Sequence, residues 1–176
     1  PSFGEYAREV RLQGGEPVFV PVEDVLDADP DDLAAAIICN PNNPTGDAFD
    51  PAALRAFVER SHAADTPVLV DEAFLGFTEE PTLAGTPGTI VARSLTKLFG
   101  LPGLRAGFAV STDPLLDRLE RGRMTWNIGV PAIEVGTHAM RATEFISETK
   151  RRVSRERAQV RATLEDRFGI HESKAP

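Results

Sequence analysis

The feature that most restricts the fold is a series of short, continuous apolar runs separated by segments with helical spacing. A short continuous apolar run is typical of a strand that is buried on both faces. Strands that alternate with helices form crossover-connected sheets. The sequence therefore predicts an α/β fold with a mostly parallel sheet flanked by helices on both faces. The predicted strands are residues 17–22, 36–39, 68–71, 89–94 and 107–110.

Spacing and capping residues predict the helices. A helix over residues 51–64 follows Asp50 as N-cap, with Pro51 at the first helical position. A second helix is expected to begin with Asp113 as N-cap and to run towards residue 121.

Residues 131 to about 168 have helical spacing almost throughout, but their character changes near residue 147. After that point basic and acidic residues interleave, a pattern typical of a solvent-exposed helix. Before it, four apolar side chains are expected to be buried: Ile133, Val135, Met140 and Phe145.

Charge and cysteine content narrow the possible functions. The 176 residues are enough for one domain, and 27 acidic against 19 basic residues give a net charge of −8. This charge repels nucleic-acid backbones, so no nucleic-acid partner is expected. No apolar run approaches the roughly 20 residues of a membrane span, so no membrane association is expected. The single Cys39 favours a reducing, cytoplasmic location.

Candidate functional residues follow three of the predicted strands. The loop 40–46 contains two prolines and a glycine and can hold an amide side chain rigidly, although an ordinary strand-to-helix turn has the same composition. Asp71 ends the next strand, where it could meet a cation or a protonated ring nitrogen, or cap a helix. A metal shared with Glu72 is less favoured, because neighbouring strand residues face opposite sides.

Lys97 follows the strand 89–94 in a chain with few lysines. An amine removed from water is a nucleophile towards carbonyl groups, and a surface loop lysine is the alternative. The pattern Ser94-x-x-Lys97 also occurs in serine β-lactamases, but their Ser-Asp-Asn and Lys-Thr-Gly motifs are absent from the sequence. The three histidines are too widely spaced to form a metal site. Trp126 is expected in the core or at an interface, with a pocket wall as the alternative.

Together these segments resemble the fold-type I pyridoxal-phosphate enzymes, and within them the class I/II aminotransferase family. The resemblance rests on Asn-Pro-Thr-Gly at 43–46, Asp-Glu-Ala-Phe at 71–74, and Ser94-x-x-Lys97 with Arg105 eight residues later, in that order. It implies that residues 1–146 are part of the large cofactor-binding domain. Residues 147–176 would be an exposed helix leading towards a truncated small domain, so we expect a piece of a longer protein.

The resemblance also implies roles for individual residues. Lys97 matches the catalytic lysine that bonds the cofactor aldehyde and moves the proton at the substrate's α-carbon. Asp71 matches the acid that keeps the pyridine nitrogen protonated, and Asn43 matches the amide that binds the phenolic oxygen. The expected cofactor is pyridoxal 5'-phosphate.

Further positions match the phosphate ligands and the aromatic residues of the family. Ser94 and Arg105 match the ligands of the cofactor phosphate, and Thr96 adds a third contact. Phe3 aligns with the aromatic that stacks on the pyridine ring, with Tyr6 as the less favoured alternative. Phe74 stands where most family members have a tyrosine, and a phenyl ring cannot donate that hydrogen bond to the phenolic oxygen.

Phe74, together with the segments 93–97, 102–105 and 124–127, is similar to threonine-phosphate decarboxylases of cobalamin biosynthesis. The resemblance thus implies a homodimeric lyase for a small phosphorylated amino acid. An aminotransferase of the histidinol-phosphate type is the alternative, and a regulator with an aminotransferase-like domain is a further one.

Overall fold

The computed structural model describes residues 1–112 and 114–176, which contain a mixed four-stranded sheet flanked by helices. Strands β1 (Ala36–Cys39), β2 (Val68–Asp71) and β3 (Thr89–Ser94) are parallel, and β4 (Gly107–Val110) pairs antiparallel with β3. The strand order is β1-β2-β3-β4. The predicted α/β fold is confirmed, and these four strands have the predicted bounds.

The helices connect and flank the strands. Asp50 is the N-cap of the second helix, where its Oδ1 accepts hydrogen bonds from the backbone N–H groups of Ala52 and Ala53 at 3.0 and 2.9 Å. The predicted N-cap Asp113 lies outside the described residues. The α-helices are α1 (Glu5–Leu12), α2 (Pro51–Ala63), α3 (Leu115–Gly122), α4 (Val130–Arg141) and α5 (Thr143–Leu164), with short 3-10 helices at Leu75–Phe77 and Pro102–Leu104. None of these helices is long and apolar enough to cross a bilayer.

The two faces of the sheet contact different helices because alternate residues of a strand face opposite sides. On one face, apolar side chains of α2 pack against the strands in a single buried cluster. Asp71 of β2 faces the other side, where its carboxylate contacts Tyr6 of α1. The cluster on the α2 side contains Ile38, Leu54, Phe57, Val58, Val68, Val70, Leu83 and Val91.

The predicted strand over residues 17–22 is wrong. The segment has no strand conformation and pairs with no strand in the described part of the chain. Phe19 within it is 74% exposed. Apolar, β-branched residues favour a strand, but a strand also needs a neighbour for its backbone hydrogen bonds.

The stretch beyond residue 131, predicted to be helical almost throughout, is interrupted at Ala142, between α4 and α5. α4 approaches the rest of the chain through Ala132 and Gly136, and a Cβ atom on Gly136 would lie 2.8 Å from the Leu95 side chain. Contact through small residues leaves the larger apolar side chains outside. The expected burial is therefore wrong for Ile133, Val135 and Met140 of α4. It is also wrong for Phe145 of α5, although its ring stacks on Phe99; the four side chains are 42% to 47% exposed.

Trp126 is 95% exposed, so the expectation that it belongs to the core is wrong for this chain. α5 extends without interruption across residue 147. The division into residues 1–146 and 147–176 stays a prediction.

Candidate active site

The sheet topology brings the predicted cofactor-binding residues to one edge. Asp71 and Ser94 end the parallel strands β2 and β3, so both lie at the carboxyl edge of the sheet. Because β4 is antiparallel, it begins at that edge, with Gly107 in register with Ser94. Arg105, two residues before β4, is thereby placed next to the end of β3. The strand reversal therefore explains how a hydroxyl and a guanidinium separated in sequence come to share one edge.

Gly107 permits this close approach of β3 and β4. A Cβ atom at this position would lie 2.7 Å from the backbone oxygen of Arg93. A hydrogen bond of 3.2 Å from the Leu95 N–H to the Ala106 oxygen continues the pairing beyond the strands. Any side chain at Gly107 would force apart the backbones that carry Ser94 and Arg105.

The Asp71 carboxylate is held by two donors from different parts of the chain. Its Oδ1 accepts the backbone N–H of Ala73 at 2.9 Å, and its Oδ2 accepts the Tyr6 hydroxyl at 2.6 Å. Burial, and secondarily the hydrogen bond to Asp71, raises the pKa of Tyr6 far above its usual value. Tyr6 therefore remains a protonated donor to Asp71.

Cys39 joins this group from β1, where it is in register with Asp71. Burial raises the pKa of the Cys39 thiol, and hydrogen bonds from Tyr6 and from the backbone of Asn43 partly oppose this change. The Cys39 Sγ also donates to the Pro41 backbone oxygen at 3.4 Å, in the loop that leads to Asn43. Asn43 and Asp71 are both among the neighbours that affect the pKa of the Cys39 thiol.

Lys97 lies in the turn after β3. Its Nζ is 5.3 Å from the centroid of the Phe74 ring, within the range of a cation–π contact. The Phe74 side chain is half-buried and packs near Phe77, with ring centroids 6.4 Å apart. Lys97 itself is exposed, so the expected desolvation of this amine is wrong for this chain. The contact nevertheless places the amine near Phe74, which follows Asp71 by three residues in the sequence.

Ser94, Thr96 and Arg105 surround the turn between β3 and β4. The Ser94 Oγ accepts the Thr96 N–H at 3.1 Å, and a hydroxyl that accepts through one lone pair can still donate its hydrogen. Arg105 adopts a left-handed conformation with φ 49° and ψ 42°, and its Nη1 donates to the Pro102 oxygen at 3.3 Å. The side chain of Arg105 is exposed at this edge.

Phe3 and Tyr6 lie next to each other at the start of the chain. Their rings meet edge to face, with centroids 5.4 Å apart and an interplanar angle of 76°. Phe3 is exposed, and its predicted stacking on the cofactor stays a prediction. Sequence reasoning missed the contact of Tyr6 with Asp71. The available clue was the position of Tyr6, one helical turn after Phe3.

Glu72 faces away from Asp71, as predicted from the alternation of strand residues. It is 2% exposed and accepts three hydrogen bonds, from Arg93 Nη1 at 2.7 Å, Thr82 Oγ1 at 2.6 Å and the Leu83 N–H at 2.8 Å. Glu72 therefore serves an internal ion pair on the other face of the sheet. Within residues 1–112 and 114–176, no group of three or more acidic, histidine or cysteine side chains could hold a metal ion.

Comparison with known proteins identifies the family. A family model described as "Aminotransferase class I and II" matches residues 1–176. The chain belongs to the class I and II aminotransferase family. Two curated relatives to which this chain is similar are named for different reactions. The threonine-phosphate decarboxylase of Pseudomonas aeruginosa is 38% identical over 150 residues, which cover 80% of this chain and 43% of the relative. The histidinol-phosphate aminotransferase of Leuconostoc mesenteroides is 31% identical over 191 residues, covering 99% and 53%.

Two solved structures, of a decarboxylase and of an aminotransferase, have a similar fold. L-threonine-O-3-phosphate decarboxylase from Porphyromonas gingivalis matches with a TM-score of 0.88 and 25% identity, over 99% of this chain and 56% of the other. Histidinol-phosphate aminotransferase from Sinorhizobium meliloti, in complex with pyridoxal-5'-phosphate, matches with a TM-score of 0.89 and 21% identity, over 99% and 51%. The chain spans about half the length of the curated relatives it matches.

Class I and II aminotransferases depend on pyridoxal phosphate, and the polar side chains at this edge of the sheet fit that cofactor. Asp71 is a half-buried carboxylate that suits a protonated ring nitrogen. A carboxylate has about four lone-pair sites, and the bonds from Ala73 and Tyr6 use two of them. The hydroxyl of Ser94 and the guanidinium of Arg105 suit a phosphate group. The amine of Lys97 suits an aldehyde.

Proposed function

We propose that the full-length protein is a pyridoxal-phosphate-dependent enzyme that decarboxylates L-threonine O-3-phosphate in cobalamin biosynthesis. The observation that carries this proposal is Phe74, whose ring lies 5.3 Å from the Lys97 amine. At this position the family resemblance leads us to expect a tyrosine hydroxyl in most aminotransferases. A phenyl ring there keeps the packing surface but removes the donor to the phenolic oxygen.

Bound pyridoxal phosphate supplies a ring that accepts electron density from a bond breaking at the substrate's α-carbon. Lys97 would hold the cofactor through its aldehyde and would move the proton at the substrate's α-carbon. Asp71 would keep a proton on the ring nitrogen, and Asn43 would donate to the phenolic oxygen. Ser94, Thr96 and Arg105 would bind the cofactor phosphate, and Phe3 would stack on the ring.

The choice between decarboxylation and transamination depends on how the substrate is oriented. The bond held perpendicular to the cofactor ring is the one that weakens, because it overlaps the π system as charge develops. A carboxylate held perpendicular favours the loss of carbon dioxide, and a hydrogen held there favours proton removal. Residues that bind the substrate carboxylate therefore determine the reaction.

The relatives support a phosphorylated amino compound as substrate. Sequence identity is higher to the threonine-phosphate decarboxylase of Pseudomonas aeruginosa, at 38%, than to the histidinol-phosphate aminotransferase of Leuconostoc mesenteroides, at 31%. The aminotransferase alignment covers more of the chain, 99% against 80%. This greater coverage favours an aminotransferase of the histidinol-phosphate type as the second candidate.

The test uses the purified full-length protein with pyridoxal phosphate. With L-threonine O-3-phosphate, we expect release of carbon dioxide and an equal amount of the aminoalkyl phosphate, in which a proton replaces the lost carboxylate. In a parallel assay, L-histidinol phosphate and 2-oxoglutarate should give no glutamate. The Lys97→Ala variant should lose the first reaction. Glutamate formation without carbon dioxide release would support the second candidate instead.

The same proposal includes the setting of the enzyme. A small phosphorylated amino acid is its expected partner, with neither nucleic acid nor membrane involved. The protein is expected to act in the cytoplasm, in keeping with its single Cys39.

A further inference from the structure

We propose that Tyr6 is a positioning residue for Asp71, whose carboxylate it orients towards the ring nitrogen of the cofactor. This inference rests on the proposed function, because Asp71 has that role only in a pyridoxal-phosphate enzyme. The observation behind it is the hydrogen bond of 2.6 Å from the Tyr6 hydroxyl to Asp71 Oδ2. The two residues are 65 positions apart, so the contact arises from the fold rather than from a local turn.

Two donors on different elements fix the orientation of this carboxylate. The Ala73 N–H holds Oδ1 at 2.9 Å from the turn directly after β2. That bond alone would allow the carboxylate to rotate about its own side-chain torsion. The Tyr6 bond to Oδ2, from α1, defines the second oxygen and thus the plane of the group. A fixed plane directs the remaining lone pairs in a set direction.

The residues around Tyr6 hold its ring in the position from which the hydroxyl orients Asp71. The ring is half-buried, and Phe3 meets it edge to face at 5.4 Å. Cys39 of β1 is in register with Asp71 and lies on the same side of the sheet. Loss of the Tyr6 oxygen would leave the carboxylate with the Ala73 N–H as its donor.

The first test measures cofactor affinity of the full-length apoprotein by spectroscopic titration with pyridoxal phosphate. The Tyr6→Phe variant should bind about tenfold more weakly, since one hydrogen bond to a charged group is lost. In an Asp71→Asn background the same substitution should cause no further loss, because the carboxylate it orients is gone. Leu12→Ala, an exposed position at the end of α1, is the control and should leave the affinity unchanged.

The second test needs no cofactor and no Tyr6 variant. The near-ultraviolet absorbance of tyrosinate is followed while the pH of the wild-type and Asp71→Asn apoproteins is raised. Free tyrosine ionises near pH 10. In the wild type, Tyr6 should remain protonated beyond that pH. Because Asp71→Asn removes the contribution of the carboxylate but leaves the burial of Tyr6 unchanged, Tyr6 of the variant should also ionise above pH 10, but at a lower pH than in the wild type. Curves that coincide over the range in which Tyr6 ionises would overturn the proposed contact.

The outcomes separate the inference from the proposed function. If the wild type binds pyridoxal phosphate but Tyr6→Phe binds it equally well, the positioning role is wrong. An equal loss of affinity in the Asp71 and Asp71→Asn backgrounds would also overturn it. If the wild type binds no pyridoxal phosphate while the two tyrosinate curves differ, the contact stands and the proposed function fails.

Discussion

Arg105 combines an unfavourable backbone conformation with a predicted role in phosphate binding. A residue other than glycine in the left-handed region costs on the order of 1–3 kcal/mol, and such residues concentrate at functional sites. Arg105 has φ 49° and lies beside the end of β3. We therefore expect the guanidinium of Arg105 to have a function that offsets this cost in conformational free energy.

Two substitutions at Arg105 separate the backbone from the side chain. Both Arg105→Ala and Arg105→Gly remove the guanidinium, so both should weaken binding of pyridoxal phosphate about tenfold or more. Only glycine relieves the strain, and the glycine variant should be more stable than the alanine variant by about 0.5–1 kcal/mol. Chemical denaturation and cofactor titration of the full-length variants measure the two effects. Equal stability of the two variants would show that the backbone conformation is not strained.

The ion pair between Glu72 and Arg93 leads to a prediction about the stability of the fold rather than about cofactor binding. Removing one partner of a buried pair costs about 3–5 kcal/mol. Glu72 is 2% exposed, but it keeps its bonds from Thr82 and Leu83 and the Arg93 side chain is 29% exposed. We therefore expect Arg93→Met to lower the free energy of unfolding by about 2 kcal/mol.

The matched control for Arg93→Met is Arg152→Met. Arg152 pairs with Glu156 at 2.8 Å on the surface of α5, with both side chains more than half exposed. Exposed pairs contribute little because water screens them. Chemical denaturation should detect the loss at Arg93 and no change at Arg152. Comparable losses at both positions would contradict the difference in burial on which the prediction rests.

Local rules predicted which strand-end side chains share a face but not which distant residues meet them. The opposite orientations of Asp71 and Glu72 follow from strand geometry alone. The contact of Tyr6 with Asp71 depends on where α1 docks, and no local pattern determines that. The exposure of Lys97 is likewise a property of everything packed around the turn.

At the scale of elements, the predictions succeeded where a strand finds its partners within the chain. β1 to β4 pair with one another, and their bounds were predicted from apolar runs. The segment 17–22 is likewise apolar, although it contains Pro17 and Pro21, and it finds no partner strand among the described residues. The interruption at Ala142 was not predicted, because spacing on both sides of it is helical. Pairing and packing therefore decide what composition alone leaves open.

The close pairing of β3 with β4 leads to a prediction about Gly107. Gly107→Ala would place a Cβ atom 2.7 Å from the Arg93 oxygen, a backbone atom that cannot rotate away. We expect a loss of stability of about 1–3 kcal/mol, as for other overpacked sites. Gly107 is in register with Ser94 and follows Arg105 by two residues, so a shift of its backbone would move both side chains relative to each other. We therefore expect the affinity for pyridoxal phosphate to fall several-fold as well.

Gly103→Ala provides the control for Gly107→Ala. Gly103 lies in the 3-10 helix of the same connection, and a Cβ atom there would meet nothing within 4 Å. Its stability should change by less than about 0.5 kcal/mol. Thermal or chemical denaturation measures stability, and titration measures cofactor affinity. Unchanged stability and affinity in Gly107→Ala would mean that the strands separate without cost.

At the scale of the whole molecule, exposed apolar side chains and the family resemblance both favour association. Val18 and Phe19 are 71% and 74% exposed, and Trp126 is 95% exposed. Adjacent large apolar side chains that remain exposed, such as Val18 and Phe19, are typical of a site that another surface covers. Family members of this resemblance act as homodimers, and we propose the same for the full-length protein.

Sedimentation velocity of the cofactor-loaded full-length protein should give twice the mass of one chain. Trp126 tests whether the expected interface includes this residue: acrylamide quenching of its fluorescence, isolated by comparison with Trp126→Phe, should be weak in the dimer. Dilution that dissociates the dimer should make the quenching stronger, since the indole then meets water. A cofactor-loaded monomer at all concentrations would contradict the dimer, and quenching that is independent of dilution would place Trp126 outside the interface.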